Sequence, residues 1–242
     1  NPFMKDNHIK LSLGTEITPV TVAPQGVIAF SPAAFCSFEA GFRGGTGWNL
    51  GTIQGLAEYN TTELKYDNLR TGSAWYMFAW ASASLMFDTA AVWKGDWHHI
   101  VFLATYKTAY HRLTGTDKTV WDWRTGKGEA TGYFYDQYYV MGYQMPLFVS
   151  LVAVTLDITG HYKSADYGSL ANTYNGNFAT IDIGPAVELT FSKKNKLYVL
   201  MDFQARRSFK EEHSNRDEEP VLTYAGREWW MRYIGLRWIH IF

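Results

Sequence analysis

The sequence has little cysteine and little charge. Cys36 is the single cysteine in 242 residues, which excludes a disulfide framework within the chain and a zinc site built from paired thiolates. The 22 Lys and Arg residues almost balance the 23 Asp and Glu residues. The resulting net charge of −1 argues against a nucleic-acid protein held by phosphate contacts, so we expect no nucleic-acid partner.

Long apolar runs are also scarce. The most apolar stretch, residues 74–93, carries one charge, Asp88, and its length alone would allow a membrane-spanning helix. Its alternation favours a strand, because Trp75, Leu85 and Phe87 fall on one face and Asp88 on the other. The first residues have no apolar core of a secretory signal, so we expect any export signal to have been removed already.

Aromatic residues, in contrast, make up 17% of the chain, and they recur in segments of alternating polarity. No solenoid repeat or Pro/Ser-rich linker divides residues 1–242, which predicts a single domain. Ten alternating segments predict ten β-strands. They are residues 8–22, 26–42, 48–60, 74–90, 98–111, 132–145, 147–161, 177–191, 196–209 and 228–242.

The links between these segments alternate in length. Short links are predicted at 43–46, 91–97, 145–146 and 192–195, and long polar links at 61–73, 112–131, 162–176 and 210–227. Only a hairpin around Pro24 interrupts this order. Such alternation predicts an all-β fold, namely a closed antiparallel transmembrane β-barrel of about ten strands with short periplasmic turns and long extracellular loops. The strands of a soluble sandwich or a lipocalin-like barrel would also alternate in polarity, with their apolar residues inside.

If the apolar faces contact lipid, the polar faces line the lumen. The candidate lumen-facing residues are Lys10, Glu16, Glu39, Glu58, Tyr76, Trp80, Asp88, Lys107, His111, Asp136, Asp157, Asp182, Glu188, Asp202, Arg206 and Arg237. Their charges must pair or contact water, because unpaired charges are costly in a dry interior. Two alternatives stay open: an ion-pair network that fills the lumen, or a narrow pore lined by the same groups.

The last predicted strand, residues 228–242, ends in Phe242 and places Trp238, Leu236 and Ile234 at alternate positions before it. In this it resembles bacterial outer-membrane β-barrel proteins. The resemblance implies an outer-membrane location in contact with lipid and lipopolysaccharide. It also implies that the barrel-assembly machinery uses the end of this strand, including Trp238 and Phe242, as its signal.

We therefore expect a non-enzymatic barrel without catalytic residues, cofactor or metal, acting as a narrow channel for small solutes or as a structural component of an envelope complex with a protein partner. One alternative is an outer-membrane hydrolase or protease with a site at the extracellular rim, for which His111, Asp157, His161 and Asp182 are candidates. Another is a surface-binding protein acting through its loops, among them the acidic run within residues 210–220.

Overall fold

The computed structural model of the protein describes residues 7–124, 128–211 and 215–241. The strands within these ranges form two antiparallel sheets. The large sheet has ten strands that follow one another in chain order: β1 (His8–Thr18), β2 (Thr21–Ala33), β3 (Cys36–Gly47), β6 (Trp75–Asp88), β7 (His99–Thr114), β10 (Gly132–Gln144), β11 (Val149–His161), β12 (Thr180–Ser192), β13 (Asn195–Phe209) and β14 (Tyr224–His240). The small sheet has the order β5 (Lys65–Asn68), β4 (Leu56–Asn60), β8 (Val120–Trp123) and β9 (Glu129–Ala130).

The predicted number of strands in the large sheet is confirmed, but one predicted strand was wrong. Residues 8–47 form three strands, where two strands and the short link 43–46 were predicted. The predicted strand 48–60 is not a member of the large sheet, and its last five residues form β4 of the small sheet.

The error comes from turn signals that lie inside strands. The β2–β3 ladder passes from Val22↔Thr46 directly to Gln25↔Arg43, so Pro24 falls in a gap of the ladder. Proline is tolerated at such a gap because it has no N–H to donate. The turns that flank β2 instead lie at residues 19–20 and 34–35.

The glycines opposite this gap, Gly44 and Gly45, are also strand residues rather than a turn. A Cβ atom on Gly45 would lie 2.5 Å from the carbonyl oxygen of Val22. The position therefore requires glycine because the two backbones approach closely.

The connections of the large sheet alternate between its two ends, since all its strand pairs are antiparallel. The short-turn end carries residues 34–35, 89–98, 145–148 and 193–194. The long-loop end carries residues 48–74, 115–131, 162–179 and 210–223, together with the tight turn at 19–20. The predicted asymmetry of loop lengths is confirmed, with its single exception at residues 19–20 instead of around Pro24.

The long connections pack together into a cap, by which we mean the described residues of 48–74, 115–131, 162–179 and 210–223. One hydrophobic cluster draws side chains from every one of these connections, including Tyr59, Val120, Tyr174 and Val221. A second cluster joins the cap to the large sheet, where fully buried Trp121 contacts the ring of Tyr76. The best-buried apolar side chains of the protein thus lie in and under its loops.

The large sheet ends in β1 and β14. The expected barrel requires these two strands to pair, and the ladders recorded for the described ranges include no β1–β14 pair. Residues 75–88 of the apolar stretch form strand β6, so the helical alternative is wrong. A search of the described parts of the chain for a helix of sufficient length and apolarity to span a membrane finds none.

We expect Trp121→Ala to destabilise the protein by about 3–5 kcal/mol, because it removes a large, fully buried ring from the junction of cap and sheet. The free energy of unfolding in urea, measured on protein folded in detergent, tests this. Trp75→Ala is the matched control, since Trp75 lies at the same end of the sheet with 53% of its surface exposed. Equal stability losses in the two variants would contradict the assigned role of the cap core.

Candidate functional site

The large sheet has two unlike faces. On β6, the residues at odd positions from Trp75 to Phe87 are apolar and all are exposed, whereas most at even positions are polar or aromatic and at least partly covered. We call these the apolar face and the polar face. The predicted lumen-facing residues other than Glu58 belong to the polar face, which is therefore the candidate functional surface.

Ion pairs connect neighbouring strands across the polar face. They include Lys107–Asp136 at 2.5 Å, Lys196–Glu188 at 2.7 Å and Arg206–Glu228 at 2.5 Å. Each joins strands that are adjacent in the sheet, so the alternation and the register together bring opposite charges into contact. Glu188 is 93% buried and also accepts a hydrogen bond from Ser150 at 2.7 Å.

Near both ends of the sheet, other predicted residues are paired as well. Asp88 contacts His99 at 2.9 Å close to the short-turn end. Glu16 lies 3.7 Å from Arg43 and also binds Arg124 of the cap. These pairs tie β6 to β7 and connect β1 to the long-loop end.

Arg232 was missed by the alternation pattern. The β13–β14 ladder passes from Asp202↔Tyr233 to Phe203↔Met231, which leaves Arg232 as an extra residue in a β-bulge. Simple alternation assigns this position to the apolar face. A guanidinium at an apolar-face position was the one signal that could have revealed the bulge.

The bulge delivers Arg232 to the carboxylates of the polar face. Its Nε donates a hydrogen bond to Asp202, which is 94% buried, and its Nη1 lies 3.7 Å from Asp182. Asp157 stands directly opposite Asp182 in the β11–β12 register. Arg232 therefore offsets a row of acidic groups on neighbouring strands, which would otherwise repel one another.

Some predicted residues are held differently. Trp80 donates its indole N–H to Glu39 at 2.8 Å, so this carboxylate bonds to a neutral partner. For Lys10 and Arg237, the described ranges contain no carboxylate within ion-pair distance.

Besides Glu16, three predicted lumen-facing residues lie in the cap or contact it. Glu58 lies on β4 of the small sheet and accepts a hydrogen bond from Thr116, so its assignment to a lumen-lining strand was wrong. Tyr76 stacks on Trp123 with ring centroids 4.6 Å apart. His111 is 96% buried against Trp121.

The candidates for a rim hydrolase are only partly brought together. The rings of His111 and His161 lie 5.5 Å apart, and the nearest carboxylates are Glu129 at 3.3 Å from His111 and Asp166 at 3.1 Å from His161. Asp157 and Asp182 lie together elsewhere, on the β11–β12 pair. This geometry matches a buried packing cluster better than a site open to substrate. No group of three or more metal-ligating side chains is found in the portions of the chain that are described.

Cavities adjoin the polar face at both ends of the sheet, and two of them are lined by charged side chains. One of about 500 Å³ lies at the short-turn end and is lined by His99, Glu188 and Lys196, among others. A larger cavity of about 800 Å³ lies between the cap and the halves of β13 and β14 that are nearer the long-loop end. Both volumes are within the usual range of ligand sites.

Comparisons of this chain with protein-family models, with curated proteins and with solved structures find no match. Trp238 is exposed on the apolar face of β14, whereas Phe242, the other residue of the predicted assembly signal, lies outside the described residues.

We expect Arg232→Met to lower the free energy of unfolding by about 1–3 kcal/mol, because it leaves the buried Asp202 carboxylate without its cation. The second substitution Asp202→Asn should recover part of this loss. Arg237→Met on the same strand is the control and should have a smaller effect. Urea unfolding in detergent measures all four proteins, and an unchanged Arg232→Met variant would argue against the bulge.

Glu129, in the cap, predicts a pH dependence of stability. Burial and the nearby Asp122 raise the pKa of the Glu129 carboxyl to about 7. The folded state then holds this proton more tightly than the unfolded state does, so the stabilising effect is complete below about pH 4.5 and is lost as the pH rises through 7.

We therefore expect Glu129→Gln to flatten the fall in unfolding midpoint between pH 5 and pH 8 and to be more stable than the parent protein at pH 8. The exposed Glu63, paired with Lys65, supplies the control Glu63→Gln. Parallel pH profiles for the parent and Glu129→Gln proteins would contradict the expectation.

Proposed function

We propose that this chain is a non-enzymatic outer-membrane β-barrel, closed by pairing of β1 with β14, whose long-loop mouth is filled by the cap. In this proposal it acts as a structural component of the cell envelope rather than as an open channel. The observation that carries the proposal is the combination of an exposed apolar face with an ion-paired polar face on one ten-stranded sheet.

Exposure of the apolar face argues for contact with lipid. Ile9 and Leu13 on β1 expose 70% and 81% of their surface, and Leu236 on β14 exposes 71%. A soluble β-sandwich would bury these side chains between its two sheets and turn the charged face to water. Here the apolar side chains are exposed, whereas Glu188 and Asp202 on the polar face are buried, as expected for a barrel surrounded by lipid.

Aromatic side chains flank the apolar band on both sides. Trp229 and Trp238 on β14 are nine positions apart, and Tyr133 and Tyr143 on β10 are ten apart. With the rise of a strand and the usual tilt, these separations correspond to about 23–26 Å along the membrane normal. This is close to the height of the apolar band of outer-membrane barrels, and Trp and Tyr favour its two boundaries.

Contacts with the cap support closure of the sheet. If the sheet were flat, β1 and β14 would lie roughly 43 Å apart. Yet the cap reaches both: Arg124 binds Glu16 on β1, and Tyr224 on β14 donates its backbone N–H to the carbonyl of Thr173 at 2.7 Å. Both edges of the sheet are thus bonded to one packed cap, which favours a curled sheet, and pairing of the two edges would satisfy their backbone groups, as a membrane requires.

The cap favours a structural role over free solute passage. Tyr59, Leu56 and Trp121 in its core expose 1% or less of their surface, so this mouth is packed like a protein interior. On the polar face, ion pairs neutralise charged side chains that would otherwise line a pore. A ten-stranded barrel is also narrow, near the size at which side chains fill the lumen.

We also propose that the protein lies in the outer membrane and has contacts there. The cap faces the cell exterior beside lipopolysaccharide, and the barrel-assembly machinery inserts the chain through its last strand, which carries Trp238. A protein partner in the envelope would contact the cap or the lipid-facing aromatics.

Single-channel recording in planar bilayers tests the proposed function. Refolded protein should first show the heat-dependent gel shift of a closed barrel, and should then give almost no conductance. Trp121→Ala, or replacement of residues 56–68 by a Gly/Ser linker, should cause frequent opening because each weakens the cap, whereas Trp75→Ala should not.

Stable conductance steps of equal size in the parent and both cap variants would instead establish an open channel. Identical gel mobility with and without boiling would refute the barrel itself.

A further inference from the structure

The lining of the cavity of about 800 Å³ beneath the cap is rich in arginine. Its lining includes Arg206, Arg207, Arg216 and Arg232, against one carboxylate, Glu219. No comparable concentration of one charge was expected from a sequence whose net charge is −1. The fold assembles it from β13, β14 and the connection between them.

Two of these arginines already have carboxylate partners outside the cavity lining. Arg206 pairs with Glu228, and Arg232 pairs with Asp182 and Asp202. Their guanidinium groups are thereby held in position along the wall of the cavity. Fixed guanidinium groups are preorganised to bind oxyanions with two parallel hydrogen bonds.

Arg207 is held instead by neutral groups. Its Nε donates to the carbonyl of Tyr174 at 2.9 Å and its Nη2 to the carbonyl of Asn175 at 3.3 Å. The guanidinium lies 3.9 Å from the centre of the Tyr174 ring and 4.8 Å from that of Phe178. Within the described ranges, no carboxylate is near enough to form an ion pair with it. A half-buried cation without a counter-ion is a favourable place for an anionic ligand.

The placement of Arg206 and Arg207 follows from the lengths of the strands. The last β12–β13 pair is Ile181↔Ala205, so residues 206–209 of β13 extend beyond β12 and pair with β14 alone. Consecutive residues of a strand point to opposite faces, yet both arginines line the same cavity at this free end. Trp230 adds an aromatic surface, with Arg206 stacked 4.7 Å from its ring centre.

We propose that this cavity binds a small organic anion through phosphate or carboxylate groups, with Arg207 as its principal cation. The cavity volume suits a sugar phosphate or a polycarboxylate, and the arginines supply bidentate donors for either group. The inference rests on the cavity alone and does not depend on whether the cap prevents conductance.

Isothermal titration calorimetry on the full chain, folded in detergent, tests this with three probes: glucose 6-phosphate, citrate and uncharged glucose. We expect saturable binding of at least one anion and no binding of glucose. Binding of one anion alone would identify the preferred group. Arg207→Gln should weaken binding at least tenfold, and Arg207→Lys should weaken it less because it keeps the charge but loses the planar fork.

Arg112→Gln is the matched control, because Arg112 is exposed at the same end of the sheet and does not line the cavity. Its affinity should equal that of the parent protein. If Arg207→Gln fails to fold, as judged by the heat-dependent gel shift, Arg216→Gln takes its place and should also weaken binding. Absence of saturable anion binding by correctly folded protein would overturn the inference, as would equal affinities of the Arg207→Gln and Arg112→Gln variants.

Discussion

Charge neutralisation on the polar face constrains the rest of this protein. Glu188 and Asp202 are buried on this face, and a buried carboxylate is tolerated only with a cation or several donors beside it. The pairs Lys107–Asp136 and Lys196–Glu188, and the shared cation Arg232, meet this requirement between neighbouring strands. Because each pair depends on the register, a slip of one residue in any of these ladders would separate the charges and also reverse the apolar face.

The sequence predicted the repeating part of the structure well and its irregular parts poorly. Alternation of polarity located the large-sheet strands from β6 to β14 within a few residues. It succeeds there because every second residue of a regular strand lies on the same face and so has the same environment. It failed at Pro24 and Gly45, where turn-forming residues occupy a ladder gap inside β2 and β3. These residues are ambiguous in a sequence, because a missing N–H or Cβ is needed both in turns and where strands approach closely.

In the candidate site, too, the residues on regular strands were predictable and those at irregular positions were not. Residues on regular strands, such as Asp136 and Glu188, could be assigned to the polar face from parity alone. The cation that serves Asp202 could not, because a bulge changes parity without leaving a clear mark in the sequence. The cap was also hidden. Its core includes Tyr59, from the predicted strand 48–60, and Tyr174, from a connection predicted only to be long and polar, and their association is a property of the folded chain.

The extra residue at position 232 has a consequence for the outside of β14 as well. Trp229 and Trp238 are separated by an odd number of positions, so in a regular strand they would point in opposite directions. Both are instead exposed on the apolar face, at 55% and 54%. One inserted residue thus supplies a cation to the polar face and brings two tryptophans into line along the apolar face. The strand is best regarded as two half-strands of opposite parity joined at an arginine.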